Sequence, residues 1–223
     1  MTELIQHPEL GITYRKGTFD EWILNETKSY FPLGLDATDR VLDLGGHIGC
    51  FGSRALLERP GTLLWSFEAE ASNYRILELN ATHFKFGAFY RAVVPDELEG
   101  KDIKIYVNDK TNNALHSTIP TRGRSEQVVV GIGLRSILKE LRPTIVKCDI
   151  EGAEYDLPWD QLNKDVRYVV MELHLTKRGH RDLAARMLNT FEYMGFRLLN
   201  TPRIGEKNWT TIAKWRKDVG TSS

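Results

Sequence analysis

The sequence has only two cysteines and no surplus of charge: 30 Lys and Arg balance 30 Asp and Glu across 223 residues. Cys50 and Cys148 give neither a disulfide framework nor a metal-ligand spacing, and read as buried free thiols of a reducing compartment. The even balance weighs against a general nucleic-acid binder, which usually shows a basic excess. No apolar run approaches membrane-spanning length. The first residues hold acids and a proline where a signal peptide would need an apolar core, so a cytoplasmic protein is expected. Repeats, low-complexity blocks and linkers are missing. So are the dinucleotide fingerprint G-x-G-x-x-G, which argues against a dehydrogenase, and the triphosphate loop G-x-x-x-x-G-K-[ST].

What is present suits one soluble domain with a full core, since 41% of the chain is apolar and 10% aromatic. The expected organisation is a single domain over 1–223. It comprises an N-terminal helical cap (1–40), an α/β core (41–215) with an insertion near 95–143, and a short tail (216–223). Thr18 and Glu21 match a capping box, with Phe19, Trp22, Ile23 and Tyr30 near one helical face and Pro32 and Gly34 as the stop. Strands are expected at 41–44, 63–67, 89–94, 144–148 and 168–171, alternating with helices; Ser72 or Asn73 would cap the second core helix. The insertion holds strand candidates 103–107 and 128–130 and a short helix 134–141. Helix 181–194 stops at Gly195, and 196–199 with 209–215 read as a hairpin. The alternation predicts a largely parallel sheet covered on both faces, with the hairpin adding one antiparallel strand.

The most informative stretch is Val41-Leu42-Asp43-Leu44-Gly45-Gly46-His47-Ile48-Gly49. It reads as strand, tight turn and helix, a turn that lets a ligand approach the main chain with no Cβ in the way. Four acids stand at strand ends: Asp43 just inside the first, and Glu68, Asp149 and Glu172 directly after apolar runs. In an open α/β sheet ligands bind beyond these carboxyl ends, so the four crowd one crevice. An acid before the glycines would repel a pyrophosphate and suits a ligand with a cationic group. S-adenosylmethionine fits, with a sulfonium and an amino group, a carboxylate for the turn N–H groups and a ribose for Glu68.

The glycine stretch resembles motif I of class I S-adenosylmethionine-dependent methyltransferases. Ile145-Val146-Lys147-Cys148-Asp149-Ile150-Glu151-Gly152-Ala153-Glu154 resembles the L-K-I-D-V-E-G-A-E signature of FkbM-type methyltransferases. Phe67-Glu68-Ala69-Glu70 stands where that family has F-E-P, Asn73 matches an asparagine that follows, and Val169–His174 is similar to its late strand. The similarity runs from about 41 to 200. Two departures are Gly46-His47 for Ala-Asn and Ala69 for proline. The resemblance implies a Rossmann-like seven-stranded mostly parallel sheet with helices on both faces. It also implies O-methylation of a hydroxyl on a sugar, glycan or polyketide-like small molecule.

On this reading Asp43, Gly45, Gly46, His47, Gly49, Glu68 and Asp149 bind the cofactor, with His47 either touching the methionine carboxylate or standing as a turn residue. Asp149, Glu151, Glu172, His174 and His116 are candidate bases. Glu172 and His174 share a strand face, so Glu172 can orient His174. Asp149, Glu172 and His174 can also hold Mg²⁺ or Mn²⁺, a divalent ion being the less favoured version. Lys147 either touches substrate or forms a salt bridge. Asn113 and His116, in Asn112–Ser117, either face the acceptor or belong to an ordinary surface loop. Lys177, Arg178, His180 and Arg181 either hold an anion at the crevice mouth or begin a solvated helix. A nucleic-acid or nucleotide methyltransferase and a non-catalytic S-adenosylmethionine-binding partner protein are the alternatives. The asparagine-proline-proline-aromatic motif of amino-methylating DNA enzymes is missing, and oligomeric state is open.

Overall fold

The computed structural model describes residues 2–31, 33–108, 124–176, 179–204 and 210–217. In chain order its elements are β1 (Leu4–Gln6), β2 (Thr13–Arg15), α1 (Asp20–Glu26), β3 (Arg40–Leu44), α2 (Cys50–Glu58), β4 (Leu63–Glu68) and α3 (Ala71–Phe84). There follow β5 (Gly87–Tyr90), β6 (Ala92–Val94), β7 (Asp102–Val107), β8 (Ser125–Gly133), α4 (Leu134–Leu141) and β9 (Ile145–Cys148). The last are β10 (Tyr168–His174), α5 (His180–Tyr193), β11 (Phe196–Leu198) and β12 (Thr210–Lys217). Among the described residues no helix is long and apolar enough to cross a membrane.

The main sheet has seven strands in the order β11-β12-β10-β9-β3-β4-β5. From β10 through β5 neighbours run parallel, and β12 is antiparallel to both β10 and β11. Strand β3 continues to β4 on one side and meets β9 on the other, so the topological switch, where such sheets bind ligands, opens between the ends of β3 and β9. Both faces are buried. Leu42, Leu44, Val146 and Met171 pack under α4 and α5 with Leu138, Met187 and Phe191. Val41, Ile145 and Val170 pack on the opposite face with Phe51 and Ala55 of α2 and with Tyr30 and Leu33.

Side chains alternate along a strand, so this register also sorts the charged groups. Asp43 is paired with Lys147 and with Ser66 across the neighbouring strands. Asp43, Lys147, Asp149, Glu172 and His174 therefore fall on the α2 face, with Tyr30 above them.

Three expectations change. The apolar run 89–94 is two strands: β5 closes the main sheet, then Arg91 N–H donates to the Glu68 carbonyl and β6 begins a separate three-stranded sheet, β6-β8-β7, whose other two strands come from the insertion. Helix α3 is capped by the Glu70 side chain, which accepts from Ser72 and Asn73 N–H. Ahead of α1 lies a β1–β2 hairpin, and α1 has no capping box: Thr18 Oγ1 accepts from Asp20 N–H while Glu21 Oε1 accepts from Gly17 N–H. Trp22 faces outward and is half exposed, whereas Tyr30, in the 3-10 turn after α1, is buried.

Candidate active site

The glycine turn is built by close approach. Gly45 has φ +79°, and a Cβ there would overlap the Asp149 carbonyl oxygen; a Cβ on Gly46 would overlap Ser66 Oγ. Only glycines let β3, β4 and β9 converge this tightly. Gly45 and Gly46 N–H both donate to the Phe67 carbonyl at 2.9 Å, and His47 N–H donates to Glu68 Oε2 at 2.8 Å. The amides expected to hold a ligand carboxylate are thus engaged inside the protein. Gly49 caps α2 and donates to the Gly46 carbonyl at 2.7 Å; it closes the turn and does not line the cavity.

Asp43 corrects the sequence reading in the same way. Its carboxylate is fully buried, 3.1 Å from Lys147 Nζ and 2.6 Å from the Ser66 hydroxyl that donates to it, and it does not line the cavity. Lys147 in turn donates to the Gly45 carbonyl and lies 3.9 Å from Asp149. Burial alone would lower the Lys147 pKa, but Asp43 and Asp149 outweigh it and raise the group above its ordinary value. Lys147 therefore braces the turn; it is not a free hand for substrate.

Beside this brace opens a cavity of about 430 Å³, lined by Gly45, Gly46, His47, Glu68, Asp149 and Glu151, by Tyr30 and Glu26 of the N-terminal segment, and by apolar residues of β6 and β7 such as Val93 and Ile105. Its volume falls in the range of ligand pockets, roughly 300–1,000 Å³. Glu68 ends β4 at the cavity wall. Burial pushes its pKa up to about 7 although Glu70 and His47 N–H groups both donate to it. Each of its oxygens has taken one donor and keeps a second lone pair. His47 adopts a left-handed backbone (φ +50°) and places its ring 3.8 Å from Asp20, which Arg15 also binds.

The far end of the cavity is acidic. The Tyr30 hydroxyl lies 3.0 Å from Asp149 Oδ2 and 3.1 Å from Glu172 Oε2. A phenol has one proton and donates to one of them at a time. Burial, then the Asp149 charge, raises the Glu172 pKa, and a proton on Glu172 lets the phenol bridge the pair. Burial, then Glu172 and Asp149, pushes Glu26 up to about 8. Neither Tyr30 nor Glu26 was among the residues predicted for the site. The available signal was their spacing, four apart on one helical face.

His174 is oriented by Glu154, not by Glu172. Glu154 Oε1 accepts from His174 N–H at 2.8 Å and lies 3.2 Å from Nδ1, while Nε2 sits 3.4 Å from Glu151 and 3.8 Å from Asp149. Burial would lower the His174 pKa; the Glu154 hydrogen bond and the charges of Glu154, Glu151 and Asp149 override it and hold the ring well above its usual value. His174 does not line the cavity and both of its ring nitrogens face carboxyl groups, so it is not poised as the base. Atoms of Asp149, Glu172 and His174 lie within 4.8 Å of one another. A divalent ion brought there would have to displace the proton on His174. Burial and the neighbouring carboxylates also hold Glu151 well above the usual carboxylate range, although His174 opposes them.

Asn113, His116, Lys177 and Arg178 lie outside the described residues. His180 is buried with Nδ1 2.7 Å from the His174 carbonyl, so it stabilises the end of β10 and does not reach out to an anion.

A parallel sheet with its switch point at a glycine turn, an acid ending the next strand and one antiparallel strand near the far edge has the Rossmann-like methyltransferase fold. Residues 43–198 match the model of the methyltransferase FkbM domain, and the chain belongs to that family. The crystal structure of methyltransferase FkbM from Methylobacillus flagellatus KT is similar, with a TM-score of 0.53 at 14% identity over 85% of this chain. This chain spans 47% of that protein, about half its length. A structure of the fibrillarin/Nop5p complex also gives 0.53, at 11% identity, over 92% of this chain and 85% of that one. At such identities the shared property is the fold. No curated protein matches the chain.

Proposed function

We propose that this protein is an S-adenosylmethionine-dependent methyltransferase that methylates a hydroxyl of a sugar, glycan or polyketide-like small molecule. The observation that carries the reading is that Glu68, ending β4, faces the same cavity as the glycine turn and Asp149 at the sheet's switch point. The donor set suits this cofactor: a carboxylate with spare lone pairs for ribose hydroxyls, an acidic end for a sulfonium, and an apolar end formed by β6 and β7 for a base. The cofactor supplies an activated methyl group. The chain's own part is to align an acceptor oxygen, worth roughly 7–11 kcal/mol in favourable cases, and to take its proton, worth about 10²–10⁴-fold. The choice of a sugar or polyketide-like acceptor rests on the likeness of the Asp149–Glu154 block to its family. The neutral charge balance supports a small acceptor over nucleic acid.

Calorimetric titration with S-adenosylmethionine and its demethylated product tests the reading. The intact protein is expected to bind both, and Glu68→Ala to weaken both by about 10–100-fold, the size of a hydrogen bond to a charged group. Failure of the intact protein to bind either compound overturns it. Binding of both without methyl transfer would favour a non-catalytic partner protein.

A further inference from the structure

We propose that Glu26, carried by α1 upstream of the matched family region, is the catalytic residue that takes the proton from the methyl acceptor. The inference rests on the methyltransferase reading above and assigns the role of base within it.

Four carboxyl groups meet around the acidic end of the cavity: Glu26, Asp149, Glu151 and Glu172. Three are engaged. Asp149 and Glu172 share the Tyr30 hydroxyl, and Glu151 is paired with His174. Glu26 lines the cavity, and although its main-chain carbonyl accepts from the Ser29 hydroxyl, its carboxyl makes no hydrogen bond or ion pair with the described residues. A base needs an available lone pair facing the substrate space. His174 does not meet that need, because it does not line the cavity and both of its ring nitrogens face carboxyl groups. Lys147 does not either, because it is charged and spent on Asp43.

The groups that face Glu26 fix its behaviour. Glu172 and Asp149 oppose its ionisation, Lys147 and His174 favour it, and burial tips the balance upward, to about 8. A sulfonium held beside the same acids would favour the carboxylate. Glu26 thus becomes a base when the methyl donor is in place, with a pKa brought near the working pH, where proton transfer is most effective. In the step itself the acceptor oxygen forms a bond to the methyl carbon. The carbon–sulfur bond breaks with its electron pair left on sulfur, and the hydroxyl proton passes to Glu26 and then to water.

The test compares S-adenosylmethionine with its demethylated product, whose sulfur is uncharged. Each is titrated calorimetrically at pH 7.5 into the full chain, in two buffers of different ionisation enthalpy, so that released protons are counted. Glu68 contributes alike to both ligands, and the difference isolates the sulfonium. Wild type is expected to release more protons with S-adenosylmethionine. Glu26→Gln is expected to lose that excess while binding the demethylated product as before. Transfer of labelled methyl to pooled glycosides should fall about 10²–10⁴-fold in Glu26→Gln and recover in part in Glu26→Asp. An unchanged proton excess in Glu26→Gln, or unchanged transfer, overturns the assignment. Absence of binding by wild type overturns the methyltransferase reading instead.

Discussion

The two sides of the cavity are built on opposite electrostatic terms. On the glycine-turn side every buried charge has a partner: Asp43 faces Lys147 and Ser66, and Glu68 accepts two backbone N–H groups. On the acidic side Asp149, Glu151 and Glu172 gather around one phenol and one imidazole with Glu26 nearby, and the pKa values of Glu26, Glu151 and Glu172 all rise. The first side is settled before any ligand arrives and serves to hold a shape. The second holds like charges together at a cost, which an incoming cation relieves. Burial raises the Glu68 pKa as well, to about 7, so what separates the two sides is that main-chain donors fix the position of Glu68 whereas acids crowd one another on the second.

The contrast breaks most visibly at Lys147. Lys147→Ala leaves the Asp43 charge buried without its partner and is expected to cost about 3–5 kcal/mol in denaturant unfolding. A double variant, Asp43→Leu with Lys147→Met, removes both charges and should regain most of that loss, since well-packed apolar groups often replace a buried pair without penalty. Equal destabilisation by the single and double variants would show that the pair does not act as a brace.

Much of the braced side is legible in the sequence because it is local. The strand, the glycines and α2 follow one another within 41–58, and Glu68, Asp149 and Glu172 lie directly after apolar runs, although β10 continues past Glu172 to His174. The partner of Asp43 is not local. Lys147 is 104 residues away, and only the β3–β9 register places the two side by side. That register is what turns Asp43 from an expected ligand contact into a structural one. Glu70 escaped notice as a cap because glutamate ranks below the Ser and Asn that follow it. The three-residue strands β1 and β2 carry too little periodicity to announce a hairpin. Tyr30 reads as part of an apolar helical face, and it takes the packing of the N-terminal segment over the sheet to bring it and Glu26 toward Asp149.

Glu68 offers a sharper test of the settled side, because its shape is fixed while its charge is not. With a pKa near 7 it is mostly protonated at pH 6 and mostly a carboxylate at pH 8. Ribose hydroxyls donate better to the carboxylate, so affinity for the demethylated product should rise about tenfold from pH 6 to pH 8, the change in the ionised fraction of a single group. Using the uncharged-sulfur ligand keeps the Glu26 response out of the measurement. Glu68→Gln should bind more weakly and lose most of the slope. A slope that persists in Glu68→Gln would move the titrating group elsewhere.

The smallest expected effect compares backbones. Each side has one non-glycine residue in the left-handed region at the cavity wall, His47 at φ +50° and Glu151 at φ +56°. For an L residue that conformation costs roughly 1–2 kcal/mol, and glycine gives back about 0.5–1 kcal/mol through the flexibility it adds to the unfolded chain. Glu151→Gly also removes one of the crowded carboxyls, at the loss of its contact with His174. The balance favours a gain of about 1 kcal/mol in unfolding stability. His47→Gly relieves the same strain but gives up a ring facing Asp20, so it should gain less. If the two substitutions move stability equally, backbone strain accounts for both, and the crowding of acids around Glu151 adds nothing measurable. If Glu151→Gly gains more, the difference measures how strongly the acidic side repels itself before a cation enters.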